Sequence, residues 1–266
     1  LNTPTLSDVT LTYVVNAAPS IQTVTASQGS GGTVSISYEV KDTDTSSGTV
    51  NPGYVTPSFE YWSGSSWSNI TSGLATLATT TKAVNQSTFT SYSTTWTAST
   101  TIGSQYYSVA KIRVTANDNE AANNTANAES STFVIDTTIP SSTSILVKAT
   151  TTPAIINLSA SDNSSIQMKV GLNSDLSGAS WETYSASKTL TLATDPDTVY
   201  TQFKDAYGNE SAIISASSQT TPSSVMIQDT SNINASPDEL RLFLAWGVVS
   251  DPALGFGSYH VYRSTD

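Results

Sequence analysis

Carboxylates and side-chain amides gathered in short loops are the residues of this sequence with chemistry to offer. They fall at Asp42-Thr43-Asp44, Asn117-Asp118-Asn119, Asp136, Asp162-Asn163 and Asp205. Such oxygens suit calcium, which takes six to eight ligands from carboxylates, amides and carbonyls. The same residue types are favoured in turns for a local reason: they hydrogen-bond their own backbone and tolerate positive φ. Both readings stay open for Asp42, Asp44, Asp118, Asp136, Asp162 and Asp205.

Catalysis has fewer candidates, and no enzyme is expected. His260 is the single histidine and sits on a strand pattern, and cysteine is absent. With no Gly-x-Ser-x-Gly elbow either, no nucleophile–histidine constellation can be assembled. The scattered Asp and Glu leave a carboxylate pair for glycoside hydrolysis open, but Glu39, Glu60 and Glu182 fall on strand patterns and read as solvent-facing. Trp62, Trp67, Trp96, Trp181 and Trp246 are read as core anchors, because large aromatics dominate small cores. An exposed aromatic face that binds glycans is the alternative.

The chain has 266 residues, a net charge of -11 and a pI near 4.3. It carries no basic patch, which argues against nucleic-acid partners. An acidic surface repels anionic membranes and attracts cations. No run approaches the length of a membrane span, and no signal peptide is visible. Without cysteine there is no disulfide framework and no thiolate metal site. About a third of the residues are Ser or Thr, far above ordinary usage. That composition suits strands with polar outer faces on an extracellular or cell-surface protein.

The elements that must hold the acidic loops are strands. Val34, Ile36, Tyr38 and Val40 alternate with Ser35, Ser37 and Glu39, and Ile166, Met168 and Val170 alternate in the same way. Val199, Thr201 and Phe203 repeat the pattern. Alternation at period two marks half-buried strands, and their regular spacing between turn signals predicts antiparallel sandwiches. Residues 71–86 read as a helical turn or an irregular crossover. The fold class is all-β, in tandem. Residues 1–16 read as the last strand of a preceding domain (Val9 to Val15) plus a linker. Residues 17–138 form a first sandwich with an insertion, 139–220 a second, and 221–266 an incomplete third. The ends read as those of an internal piece of a longer polypeptide.

Strand direction places the acids. In a seven-stranded sandwich the loops after the second and sixth strands lie at the end where the chain enters. This predicts Asp42, Asp44 and Asp118 beside Asn16, and Asp162 and Asp205 beside Asp136.

Several stretches resemble known families. Asp205-Ala206-Tyr207-Gly208-Asn209-Glu210-Ser211 is similar to the penultimate-strand turn of bacterial immunoglobulin-like repeats. Asp136-Thr137-Thr138-Ile139-Pro140 looks like their joint. Leu242 to Tyr262 resembles the second and third strands of a fibronectin type III domain, and Asp42-Thr43-Asp44 and Asn117-Asp118-Asn119 resemble cadherin-like calcium loops. The resemblance implies a non-catalytic part of a large secreted or cell-surface bacterial protein, serving in a stalk, surface layer, filament or adhesin. An accessory region of a large extracellular hydrolase is a further alternative. The implied partners are neighbouring copies, paired through edge strands, and glycans.

Overall fold

The computed structural model describes residues 15–44, 53–148, 153–193 and 197–218, and the backbone of 226–228 and 243–245. The first sandwich runs through β1 (Ser20–Gln28), β2 (Thr33–Lys41), β3 (Tyr54–Trp62), β4 (Trp67–Asn69), β5 (Lys82–Ala83) and β6 (Thr90–Thr97). It continues through α1 (Ser99–Ile102), β7 (Tyr106–Asn117), β8 (Thr125–Glu129) and β9 (Phe133–Asp136). One sheet has the order β1-β2-β6; the other is β4-β3-β7-β8, with β5 on β3 and β9 on β7. All these pairings are antiparallel.

The second sandwich has β10 (Ser141–Lys148), β11 (Ala154–Ser161), β12 (Gln167–Gly171), β13 (Glu182–Thr183), β14 (Ser187–Leu190), β15 (Thr198–Lys204) and β16 (Ile214–Ser217). Its sheets are β10-β11-β14 and β13-β12-β15-β16. Beyond it, β17 (Met226–Gln228) and β18 (Phe243–Ala245) pair antiparallel. Residues 9–14 of the expected first strand, Trp246 and His260 lie outside the described residues.

Period-two alternation builds each core. Val34, Ile36, Tyr38 and Val40 of β2 face Ala110, Ile112, Val114 and Ala116 of β7, with Phe59 and Trp96 between the sheets. The second core gathers Ile156, Leu158, Met168, Val170, Val199 and Phe203. Thr201, the polar residue in that inward row, is satisfied by donating to the Lys169 carbonyl at 2.8 Å. The two sandwiches thus have separate cores.

The first strand of each sandwich carries the same irregularity. Thr23 in β1 and Ser142 in β10 take positive φ, and the ladder register shifts beside each. A bulge on an edge strand twists it away from any approaching strand, a usual defence against edge-to-edge pairing. Residues 71–86 form an irregular crossover: Leu74 bridges to Trp96, and β5 pairs with the start of β3.

The tryptophans depart from expectation. Trp96 is fully buried, but Trp62, Trp67 and Trp181 are only half-buried, on outer faces. Strand parity explains Trp62. Phe59 and Tyr61 of β3 point to the core, so Glu60 and Trp62 point away. Trp67 lies tilted against Trp62 with its ring centre 5.5 Å away, and the Arg113 guanidinium sits 3.8 Å above it.

Candidate metal centre at the joint between sandwiches

The linker Asp136-Thr137-Thr138-Ile139-Pro140 is not a free tether. Asp136, Thr137 and Pro140 are buried. The Thr137 hydroxyl accepts from the Gln105 N–H at 2.9 Å and donates to the Gly103 carbonyl at 2.7 Å. Gln28, at the end of β1, clamps the backbone of Asp136: its amide oxygen accepts the Asp136 N–H at 2.7 Å, and its Nε2 donates to the Asp136 carbonyl at 2.6 Å. Asn209 of the second sandwich donates to that same carbonyl at 2.9 Å. Opposite, the Gly31 N–H donates to the Tyr207 carbonyl at 2.8 Å. Gly208 has φ +82°, and a Cβ there would come within 3.3 Å of the Gly31 nitrogen and the Ser30 Cβ. The two turns therefore approach at backbone distance, which requires this small residue.

Three carboxylates converge at this joint. Asp136 ends β9, Asp162 follows β11 and Asp205 follows β15. Each offers one oxygen, and these oxygens all lie within 4.8 Å of one another. Among the described residues no other three acidic side chains close to this spacing. Turn chemistry explains part of the arrangement. Asp162 Oδ1 accepts from the Ser164 N–H and hydroxyl, both at 2.9 Å. Asp205 accepts from the N–H groups of Tyr207 and Asn209 at 2.9 and 2.7 Å, and from Asn209 Nδ2 at 2.7 Å. Asp136 Oδ1 accepts from the Thr138 N–H at 3.0 Å. These bonds account for where each carboxylate points, but not for why three of them share one place.

Asp136 marks the difference. It is fully buried (0% exposed), and its Oδ2 has no hydrogen-bond donor. No ion pair reaches Asp136, Asp162 or Asp205 among the described residues. Two like charges 4.8 Å apart repel by about 3–4 kcal/mol at an effective dielectric constant of roughly 20. Burial pushes the Asp205 carboxyl above its ordinary value; the bonds from Asn209 work against this, and the charges of Asp136 and Asp162 add to it.

The other predicted acids surround the entrance of the first sandwich. Asn16 Nδ2 donates to Asp118 Oδ2 at 2.9 Å, and the Ala17 N–H donates to Asp44 Oδ2 at 2.7 Å. Asn16 Oδ1 and Asp42 Oδ1 are buried without a hydrogen-bond donor. Asp42 is 2% exposed, and its carboxyl is pushed up to about 7, by burial first and then by Asp44 and Asp118. A carboxyl raised in the folded state keeps its proton there while the unfolded chain has already lost it. In chelator, the first sandwich is therefore expected to lose stability as pH rises from about 4 to about 7. Urea midpoints should fall across that window, and Asp42→Asn should flatten the fall.

Sequence reasoning missed Gln28 and the contact between Gly31 and Tyr207. Gln28 has no signal beyond being a polar residue at a strand end, and the turn contact depends on how the two sandwiches are set against each other.

No family model and no curated protein matches this chain. Among solved structures it is similar to a chain from work on the chaperone–tip adhesin complex in CFA/I fimbriae biogenesis. The match covers 75% of this chain and 98% of that one, at 10% identity and a TM-score of 0.27. A likeness that low assigns no function to this chain.

Proposed function

We propose that this chain is a non-catalytic segment of a large secreted or cell-surface protein, a series of β-sandwich spacers joined by cation-stiffened links. The observation that carries this reading is the meeting of Asp136, Asp162 and Asp205, with Asp136 Oδ2 buried and without a donor. An all-oxygen, carboxylate-rich set fits a hard dication, and calcium accepts the irregular geometry of loop ligands better than magnesium does. Asp136 belongs to the joint, while Asp162 and Asp205 come from the second sandwich. A bound ion would cross-link the linker to the two loops it enters beside. The hydrogen bonds from Asn209 and Gly31 already tie the two bodies together, Gln28 fixes Asp136 within its own sandwich, and the ion would resist the loss of that contact under load. The first-sandwich acids Asp42, Asp44 and Asp118, with Asn16, form a second candidate for the same role toward the preceding segment.

Small-angle X-ray scattering on the whole chain tests the mechanical reading. With millimolar calcium the distance distribution should be narrow and repeatable. In excess chelator it should broaden toward shorter and more varied separations. A distribution identical in both conditions would remove the cation from the mechanism.

A further inference from the structure

The outer face of the β13-β12-β15-β16 sheet carries a feature that the joint does not explain. Lys169 and Lys204 lie on neighbouring strands and point to the same side. In the ladder Lys169 is opposite Gln202, and Gln167 is opposite Lys204. Between them their strands bury Met168, Val170, Val199 and Phe203 on the opposite face. Both ammonium groups converge on the half-buried ring of Trp181, at 4.6 and 4.3 Å from its centre.

The pairing is unusual for this chain, whose net charge is -11. Neither ammonium has a carboxylate partner among the described residues. Two carboxylates on adjoining ladder positions are engaged elsewhere: Glu182, opposite Met168, pairs with Lys188, and Glu210, opposite Lys204, accepts from Gln202. Two like charges over one ring repel each other, and an indole face offsets only part of that. An anion placed between them would relieve the repulsion and complete the site.

We propose that this face is a binding site for a carboxylated saccharide. The two lysines take the carboxylate. Gln167 and Tyr200, outward on the same sheet face, supply amide and phenol groups for sugar hydroxyls. Trp181 holds the ammonium groups in place beside them. The flat polar sheet surface fits an extended, hydroxyl-rich ligand. An acidic peptide, by contrast, would seek backbone partners at a strand edge.

Isothermal titration of the whole chain with trigalacturonate tests this, with maltotriose as the neutral control and a poly-glutamate peptide as the competing anion. Trigalacturonate should bind in chelator as well as in calcium, weaken as salt rises, and outcompete both controls. The double variant Lys169→Gln/Lys204→Gln should lose about tenfold or more in affinity, as removal of charge-assisted bonds does. Lys148→Gln, on β10 of the other sheet, should bind as the parent does, and all variants should keep the parent's melting temperature. No binding, equal binding of poly-glutamate, or binding that needs calcium would each overturn the proposal. Self-association of the chain that is lost in the double variant would overturn it too, in favour of a second copy as the partner.

Discussion

Asp136→Asn is expected to reverse its effect on stability when calcium is added. In chelator the variant should melt at or above the parent's temperature, because it removes one of three carboxylates held within 4.8 Å of one another. Asparagine keeps an Oδ1 to accept from Thr138 and nearly the same volume, so the linker turn survives. In calcium the order should invert. A ligand that binds only the folded state contributes about 2.7 kcal/mol when its concentration is a hundredfold above Kd. For a sandwich of this size that is a shift on the order of 10 °C. The variant places an amide nitrogen or an uncharged oxygen where the buried, donor-less Oδ2 stood, and should lose most of that shift. Differential scanning calorimetry of parent and variant, each with calcium and with chelator, reads out all four values. A variant that is destabilised equally in both conditions would mean that Asp136 serves the linker turn alone.

Trp96→Ala should have the largest cost of any single change in the first sandwich. Trp96 is fully buried, stacks on Tyr61 with ring centres 5.4 Å apart, and donates from Nε1 to the Thr101 hydroxyl at 3.0 Å. Truncating a buried tryptophan typically costs about 3–5 kcal/mol, through lost transfer energy and the cavity left behind. Against a total stability of roughly 5–15 kcal/mol, that leaves the sandwich close to its unfolding threshold. Trp62→Ala, at an outward position, should cost on the order of 1 kcal/mol or less. Urea denaturation followed by circular dichroism separates the two. Equal costs would show that the outer Trp62–Trp67 pair is as structural as the core.

The contrast between these tryptophans shows where sequence reading succeeds and where a habit of reading fails. Period-two alternation located β2, β12 and β15, because each buries one face and exposes the other. The same parity, applied to Phe59 and Tyr61, already put Trp62 outside; expecting large aromatics to be buried overrode it. Strand direction alone placed Asp136, Asp162 and Asp205 at one end, since it depends only on the number of strands between loops. The bond from Asn209 to the Asp136 carbonyl and the approach of Gly208 to Gly31 depend on the angle between two separately folded bodies. No local pattern encodes that angle. The convergence of Lys169 and Lys204 on Trp181 is of the same kind: it needs the β12–β15 register as well as the alternation.

Calcium titration into the chelator-treated chain tests whether Asp136, Asp162 and Asp205 hold a calcium ion together. Calorimetric titration should show saturable binding, with one class of site lost in Asp136→Asn while the remaining binding is unchanged. No saturable heat up to millimolar calcium, or a binding curve that Asp136→Asn leaves unaltered, would contradict it.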